Sequence, residues 1–382
     1  MTTLSISVLW ILWNLSGIHV PSPHFPHTVP SAYWKPDPVC EHAMYPENGK
    51  IASEINSRRV YLMGTLSTLH HVSHSAEQSV ERMESMVRIL EEAESELSTW
   101  KEDSILSRLN RQPVGAPLEV ESSMIELFEE LDYWSGETQN SFDPTVGKLM
   151  EAYAIKTGGR WPTAASVKAS VQDTGMQHYR LDKKRYRITR TRDIHIDAGS
   201  FGKGEALDRL LKAHADDDAW MADLGGQILV HGSRPGRSGW PVSIAHPRNR
   251  EEAFLSIVLK SGSLATSGGS ERDSEVENRR LGHILDPRIG RPAPYNGSVS
   301  VWHERALLAD ILSTALYVMG PEKGLRWAND RGVAACFLIP DTEGNVGILT
   351  SLAFREIISG DRFTDSNSNP VKKWYLVINS PI

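Results

Sequence analysis

The sequence has 382 residues, 40% hydrophobic and 23% charged, with a formal net charge of −7. That balance fits a soluble globular protein long enough to bury a sizeable core, in one large domain or two smaller ones. It argues against a nucleic-acid binder, which would carry a basic face; the Lys183-Lys184-Arg185 cluster with Arg187 reads as a solvated face. The two cysteines, Cys40 and Cys336, cannot make a four-ligand zinc site, and a disulfide between them has no support in the pattern.

In chain order, residues 4–20, LSISVLWILWNLSGIHV, are apolar. They are long enough for a secretory h-region and marginal for a membrane span, but lack the usual preceding basic residues. Two readings stand: an export or anchor segment, or an accidental apolar leader. Residues 20–38 read as an extended proline-rich tether. From Tyr61 the chain becomes regular. RVYLMGTLSTLHHV (59–72) reads as a strand. In 76–97, Val80, Met83, Val87, Leu90 and Leu97 recur at helical spacing, which predicts a long surface helix with one buried stripe. Asp103 or Ser104 is placed to cap a short helix. A second amphipathic helix spans 122–135, and a turn at SFDPTVG leads into a third with Pro144 in its first turn.

YRLD, RYRIT and DIHID read as short strands within 177–197, and a helix follows from about Glu205 to His214. AWMADLGGQILVHG reads as a strand interrupted by a glycine pair. Strand-and-turn material fills 240–292, and a strand, a buried helix and a second helix fill 298–330. GVAACFLIPDTEGNVGILTS reads as a closing hairpin with Cys336 buried in it. Strands dominate the middle and helices flank them, which predicts an α+β fold, not a doubly wound sheet.

Several stretches could carry chemistry. HIDAGSFGKGEALDRLL (195–211) places Gly199, Gly202, Gly204, Lys203 and Asp197 where a strand gives way to a helix. Glycines let the backbone approach a ligand, and a helix N-terminus suits an anion. The spacing is neither a P-loop nor a dinucleotide fingerprint, and a plain glycine-rich turn beside a surface lysine is the alternative. Between Ala306 and Gly320 the only charged residue is Asp310, and Thr314 lies one turn on. A carboxylate and a hydroxyl at that spacing are hard oxygen ligands of the kind magnesium takes. A carboxylate hydrogen-bonded to a neighbouring loop explains the pattern equally well. His283, in GHILDPRIGRP, could accept a proton from a hydroxyl nucleophile or could be structural. LATSGG (264–269), DLGGQI (223–228) and SFDPTVG (141–147) are weak signals singly.

Together and in this order, MGT (63–65), ELSTWKEDSILSRLN (96–110), SFDPTVGKL (141–149), IDAGSFGKGEALDRL (196–210), DLGGQILVHG (223–232), LATSGG (264–269), HILDPRIGRP (283–292) and LLADILSTALYVMGPEKGL (307–325) resemble the FAD:protein FMN transferase (ApbE) family. The resemblance runs from Tyr61 to about residue 350. It implies a T-fold-like α+β architecture of mixed antiparallel sheets with flanking helices, and transfer of the FMN half of FAD to a threonine hydroxyl of an acceptor flavoprotein, with AMP leaving. It implies a magnesium ion held by Asp310, Thr314 and the Ser200 carbonyl, and His283 as the base that activates the hydroxyl. Asp197 and Lys203 would face the FAD. Met63, Trp100, Ser141, Phe142, Asp143, Thr266 and Ile284 would line its flavin or adenine pocket.

The expected organisation is a leader (1–20), a tether (21–55), the ApbE-like domain (56–358) and an unassigned tail (359–382). Three positions depart from the family pattern. Ser200 stands where a small apolar residue is usual, Phe201 is bulkier than usual, and Gly269 replaces a more polar residue. Acceptors of the family tend to face the cell envelope, which agrees with an exported, periplasmic-side protein and membrane association through the N-terminus; a cytoplasmic location is the alternative. No cysteine directly follows the leader, which argues against the usual bacterial lipid anchor. Two rival readings keep the same site: an FAD pyrophosphatase using water, and a non-catalytic FAD-binding protein.

Overall fold

Hydrophobic alternation along the strands decides the architecture. The computed structural model describes residues 54–269, 273–359 and 364–365. The leader, nearly all of the tether with Cys40, and most of the tail lie outside the described residues. Eight strands, β1 (Glu54–Leu62), β2 (Thr65–Ser73), β3 (Trp220–Leu224), β4 (Ile228–His231), β5 (Gly262–Gly268), β6 (Ser298–His303), β7 (Ala334–Pro340) and β8 (Val346–Thr350), form one sheet. Their order across the sheet follows their order in the chain, and every pair is antiparallel.

Among the described residues the α-helices are α1 (Ala76–Leu97), α2 (Ile105–Arg111), α3 (Ser122–Glu137), α4 (Gly147–Ala152), α5 (Ala164–Gln172), α6 (Gly202–Ala213), α7 (Ala306–Asp330) and α8 (Leu352–Ser359). In β3, Trp220, Ala222 and Leu224 join Met86 and Leu90 of α1 and Leu207 and Leu210 of α6. Met221, pointing the other way, joins Trp240, Val242 and Ile257 of a second small sheet. In β7, Ala335 and Phe337 pack against Leu312 and Leu316 of α7, while Cys336 and Leu338 pack against the second sheet and Phe354 of α8. Because successive side chains of a strand face opposite ways, one face of the large sheet carries helices and the other carries a second sheet. The fold is α+β with mixed antiparallel sheets and flanking helices, as expected. Among the described residues no helix is long and apolar enough to cross a membrane.

Several elements match their sequence signals. Helix α1 spans the predicted residues, Ser104 and not Asp103 caps α2, and α7 kinks at Gly320-Pro321 into the two predicted helices. Others differ for local reasons. The strand expected over 59–72 is a hairpin, because Met63 and Gly64 both take positive φ, 53° and 72°. The 219–232 segment is likewise a hairpin turning at its glycine pair. Val80 is 55% exposed; Ser79 turns inward instead and bonds His71 and Asn56. DIHID is not a sheet strand. It makes one parallel bridge, Val146 to His195, and Asp197 N–H donates to the Pro144 carbonyl at 2.7 Å. Pro144 therefore lies ahead of α4, which begins at Gly147. Helix α6 begins at Gly202, three residues before the expected start, so two glycines sit in its first turn.

Candidate active site

Helices α6 and α7 cap one another. Asp208 of α6 accepts from the Ala306 and Leu307 N–H groups at 2.5 and 3.2 Å. Asp310 of α7 accepts from Gly204 N–H, in the first turn of α6, at 3.1 Å. The first N–H groups of a helix lack intrahelical partners, so each carboxylate satisfies donors on the other helix. The approach is close enough that a Cβ on Gly204 would lie 2.5 Å from the Ala306 carbonyl oxygen. Burial pushes the Asp208 carboxyl above its usual range, opposed by those two hydrogen bonds.

The polar seam continues along α7. Ser267 Oγ of β5 lies 2.8 Å from Ser313 Oγ and 3.4 Å from Thr314 Oγ1. Asp310 is buried at 6% exposure. Ser200 ends a 3-10 turn (Ala198–Ser200) just before α6, and Gly204 N–H, which a longer helix would direct to the Ser200 carbonyl, goes to Asp310 instead. Among the described residues no cluster of three or more His, Cys, Asp or Glu side chains could hold a metal. The expected set needs only one carboxylate. With a hydroxyl and a carbonyl it is an all-oxygen donor set that fits magnesium, whose remaining positions are usually taken by water and phosphate oxygens. Met63 Cε lies 3.8 Å from where a Cβ on Gly202 would sit, and Lys203 is half-buried in the same turn.

Asp197 joins this seam to a second wall. Its Oδ1 accepts Gly199 N–H at 2.9 Å; its Oδ2 receives Thr99 Oγ1 at 3.1 Å and pairs with Lys156 Nζ at 2.6 Å. Lys156 also donates to Thr99 Oγ1 at 2.6 Å and sits 5.1 Å from the centre of the Trp100 ring. That ring is 70% exposed, and an exposed aromatic face held by a cation suits stacking on a planar ligand. Sequence reasoning missed Lys156, which lies in no motif.

The 141–147 loop backs Asp197 through the Pro144 carbonyl. Its side chains turn inward. Phe142 is in the main core, Ser141 Oγ is buried without a partner, and Asp143 is buried and accepts from Thr145 N and Oγ1 at 2.9 and 2.6 Å. Burial pushes the Asp143 carboxyl up to about 6, against those two hydrogen bonds.

The third wall is the Ser274–Val276/Arg279–Leu281 hairpin and the residues around it. Asp273 Oδ1 accepts from His283 N at 3.0 Å and lies 2.8 Å from His283 Nδ1; Arg280 Nε donates to its Oδ2 at 2.6 Å. Asp273 and Arg280 act electrostatically on Tyr317, which lies three residues beyond Thr314 on α7 and whose hydroxyl burial pushes up to about 12. Ile284 is half-buried against the main core.

Met63, Asp197, Ser200, Lys203 and Asp310 thus lie at or just before the start of α6, with Thr314 one turn along α7. Thr266 does not. It bonds Ser300 Oγ at 2.7 Å and, with Leu264, lines a small cavity toward His246 and Arg250 of the second sheet. Its neighbour Ser267 faces α7, so alternation puts the two on opposite faces of β5.

The profile of the ApbE family matches residues 63–337. Similar proteins include FAD:protein FMN transferases of Klebsiella pneumoniae, 29% identical over 70% of this chain and 79% of the relative, and of Escherichia coli K12, 28% identical over 78% of this chain and 86% of the relative. The flavinyl transferase ApbE of Pseudomonas stutzeri, in its apo form, has a TM-score of 0.71 at 27% identity, covering 80% of this chain and 97% of its own. The ApbE protein of Thermotoga maritima has a TM-score of 0.73 at 27% identity, covering 80% of this chain and 99% of its own. The profile thus covers well over half the chain, including the seam between α6 and α7 and the residues of the other two walls, and the chain belongs to the ApbE family.

Proposed function

We propose that this protein transfers the FMN moiety of FAD to a threonine hydroxyl of an acceptor flavoprotein, releasing AMP, and that it needs magnesium to do so. The names of its relatives support the transfer of FMN from FAD to protein. The observation that carries the site assignment is the meeting of the glycine bend with the carboxylate of α7, Gly204 N–H to Asp310 Oδ2 at 3.1 Å.

Asp310, the Thr314 hydroxyl and the Ser200 carbonyl would hold the magnesium ion. When bound, it would offset negative charge developing on the phosphoryl oxygens. The N–H groups of the first turn of α6, with Lys203, favour the diphosphate at the same end through the helix dipole. Trp100 offers its ring face to the flavin or the adenine, and Asp197 and Lys156 fix that wall. Met63 closes on Gly202, and the 141–147 loop supports Asp197 through the Pro144 carbonyl.

His283 is the base. The threonine Oγ loses its proton to His283 and bonds to the phosphorus on the FMN side of the diphosphate. The bond from that phosphorus to the bridging oxygen breaks, and AMP leaves with the oxygen and its electron pair. The products are one phosphoester and AMP, with the proton on His283 released to solvent.

The acceptor would be an envelope-facing redox protein, in keeping with an export or anchor role for residues 1–20. The test is incubation with FAD, magnesium and an acceptor domain containing a candidate threonine, followed by in-gel flavin fluorescence after denaturation. A fluorescent acceptor band is expected. Free FMN and AMP without a labelled band would mean that water is the acceptor, and unchanged FAD would mean carriage without turnover.

A further inference from the structure

The chain has glycine at 269, and the space beyond it is filled. A Cβ there would lie 1.8 Å from Arg280 Nη2 and 2.6 Å from Asp273 Oδ2. The end of β5 therefore abuts an Asp273–Arg280 pair two residues after Ser267, which itself touches Thr314. Asp273 is nearly enclosed, its side chain 10% exposed. Its two oxygens have separate tasks: Oδ2 receives Arg280, which Asn296 Oδ1 holds from the other side at 2.9 Å, and Oδ1 receives both the N–H and the Nδ1 of His283. These contacts hold the Asp273 carboxyl below its usual range although burial opposes them. An ionised carboxylate only accepts hydrogen bonds. The Nδ1 of His283 must therefore carry the proton, and in the neutral ring Nε2 carries the lone pair. Among the described residues Nε2 has no hydrogen-bond partner, and it is not sealed from solvent.

We propose that Asp273 is the positioning residue of the transfer reaction: by accepting the Nδ1 proton of His283 it fixes the ring in the tautomer whose Nε2 takes the proton of the attacking hydroxyl. This rests on the transferase reading above. Arg280 keeps Asp273 ionised and oriented, and Gly269 leaves room for the pair. The carboxylate also stabilises the ring in the moment it becomes charged, as the orienting group of a base commonly does. In the balanced step, the hydroxyl proton passes to Nε2, the oxygen bonds to phosphorus, AMP departs with the bridging oxygen, and the Nδ1 proton stays on His283 throughout.

The test compares wild type, Asp273→Asn, Asp273→Glu and His283→Gln in the acceptor-labelling assay, with kcat and the KM for FAD measured separately. Asp273→Asn is expected to lower kcat roughly 100-fold with little change in KM, and Asp273→Glu to recover part of the loss. Labelling by Asp273→Asn at the wild-type rate, while His283→Gln is inactive, overturns the proposal and leaves the transferase reading intact. No labelling by wild type sinks the transferase reading itself. A measurement on the wild type guards against misfolded variants: nitrogen NMR of the histidine rings, with the His283 signals identified by their loss in His283→Gln. A protonated Nδ1 and bare Nε2 are expected, and the opposite tautomer overturns the proposal.

Discussion

Asp208 and Asp310 exchange helix ends: Asp208 of α6 binds the first N–H groups of α7, and Asp310 of α7 binds Gly204 N–H at the start of α6. Asp310 is buried and Asp208 half-buried, on facing helices, and both have a structural task. The difference is that Asp310 has a hydroxyl one turn away, Thr314, and a 3-10 turn ending in Ser200 beside it, while Asp208 serves α7 alone.

That difference separates two variants. Asp208→Ala removes a cap and should cost about 1–2 kcal/mol of stability, with labelling by the folded fraction retained. Asp310→Asn keeps an oxygen for Gly204 N–H and should change stability by less than about 1 kcal/mol. It should nevertheless lower labelling about 100-fold or more by weakening the metal site. Urea unfolding beside in-gel fluorescence gives both numbers, and full labelling by Asp310→Asn removes the metal assignment.

Gly204 permits the exchange. The methyl of Gly204→Ala would meet the Ala306 backbone 2.5 Å away, and neither helix backbone can turn aside as a flexible side chain would. Overpacking of this kind costs about 1–3 kcal/mol. A lowered thermal midpoint is expected, with weaker magnesium dependence of labelling in the folded fraction. An unchanged midpoint would mean that the helices separate freely.

Lys156 ties Asp197, Thr99 and the exposed Trp100 ring into one wall. Lys156→Met should raise the KM for FAD about 10-fold, equal to about 1.4 kcal/mol, with kcat nearly kept. If Lys156 acts through the ring, Trp100→Ala and Lys156→Met combined should lose less than the sum of the two. Steady-state kinetics on the four proteins decides it, and strict additivity contradicts the shared wall.

Burial holds the Asp143 carboxyl at about 6, above its ordinary value of 3.8. A carboxyl raised by folding disfavours its own ionised form. Its stabilising contribution is therefore complete below about pH 4, falls as pH rises toward 6, and is flat above that. The gap is worth about 3 kcal/mol at 1.36 kcal/mol per unit. Asp143→Asn keeps the acceptor for Thr145 and escapes ionisation. Its stability relative to wild type should rise by about that amount between pH 4 and pH 7 in urea titrations, and a constant difference would contradict this.

What the sequence discloses depends on how local the cause is. Helix α1 was legible because its apolar stripe, Met83 to Leu97, is contained in one stretch. The lone charge at Asp310 stood out against an apolar helix. DIHID was not legible, because its hydrogen bonds go to the Pro144 loop some fifty residues earlier and to the Asn110 side chain, which a strand pattern cannot anticipate. LATSGG was found as a block, but which hydroxyl faces α7 depends on strand parity, and the structure chooses Ser267 over Thr266. Lys156 and Asp273 belong to no motif; each gains its role from a residue that only folding brings near.

The central claim is that a divalent cation on α7 meets the diphosphate of FAD at the first turn of α6. A crystal grown with FAD and manganese, standing in for magnesium and located by its anomalous scattering, tests this most directly. The account predicts an ion bound directly to Asp310 and Thr314, with the diphosphate against Gly202 to Gly204. An ion or diphosphate lodged elsewhere, with Asp310 still capping α6, would contradict it.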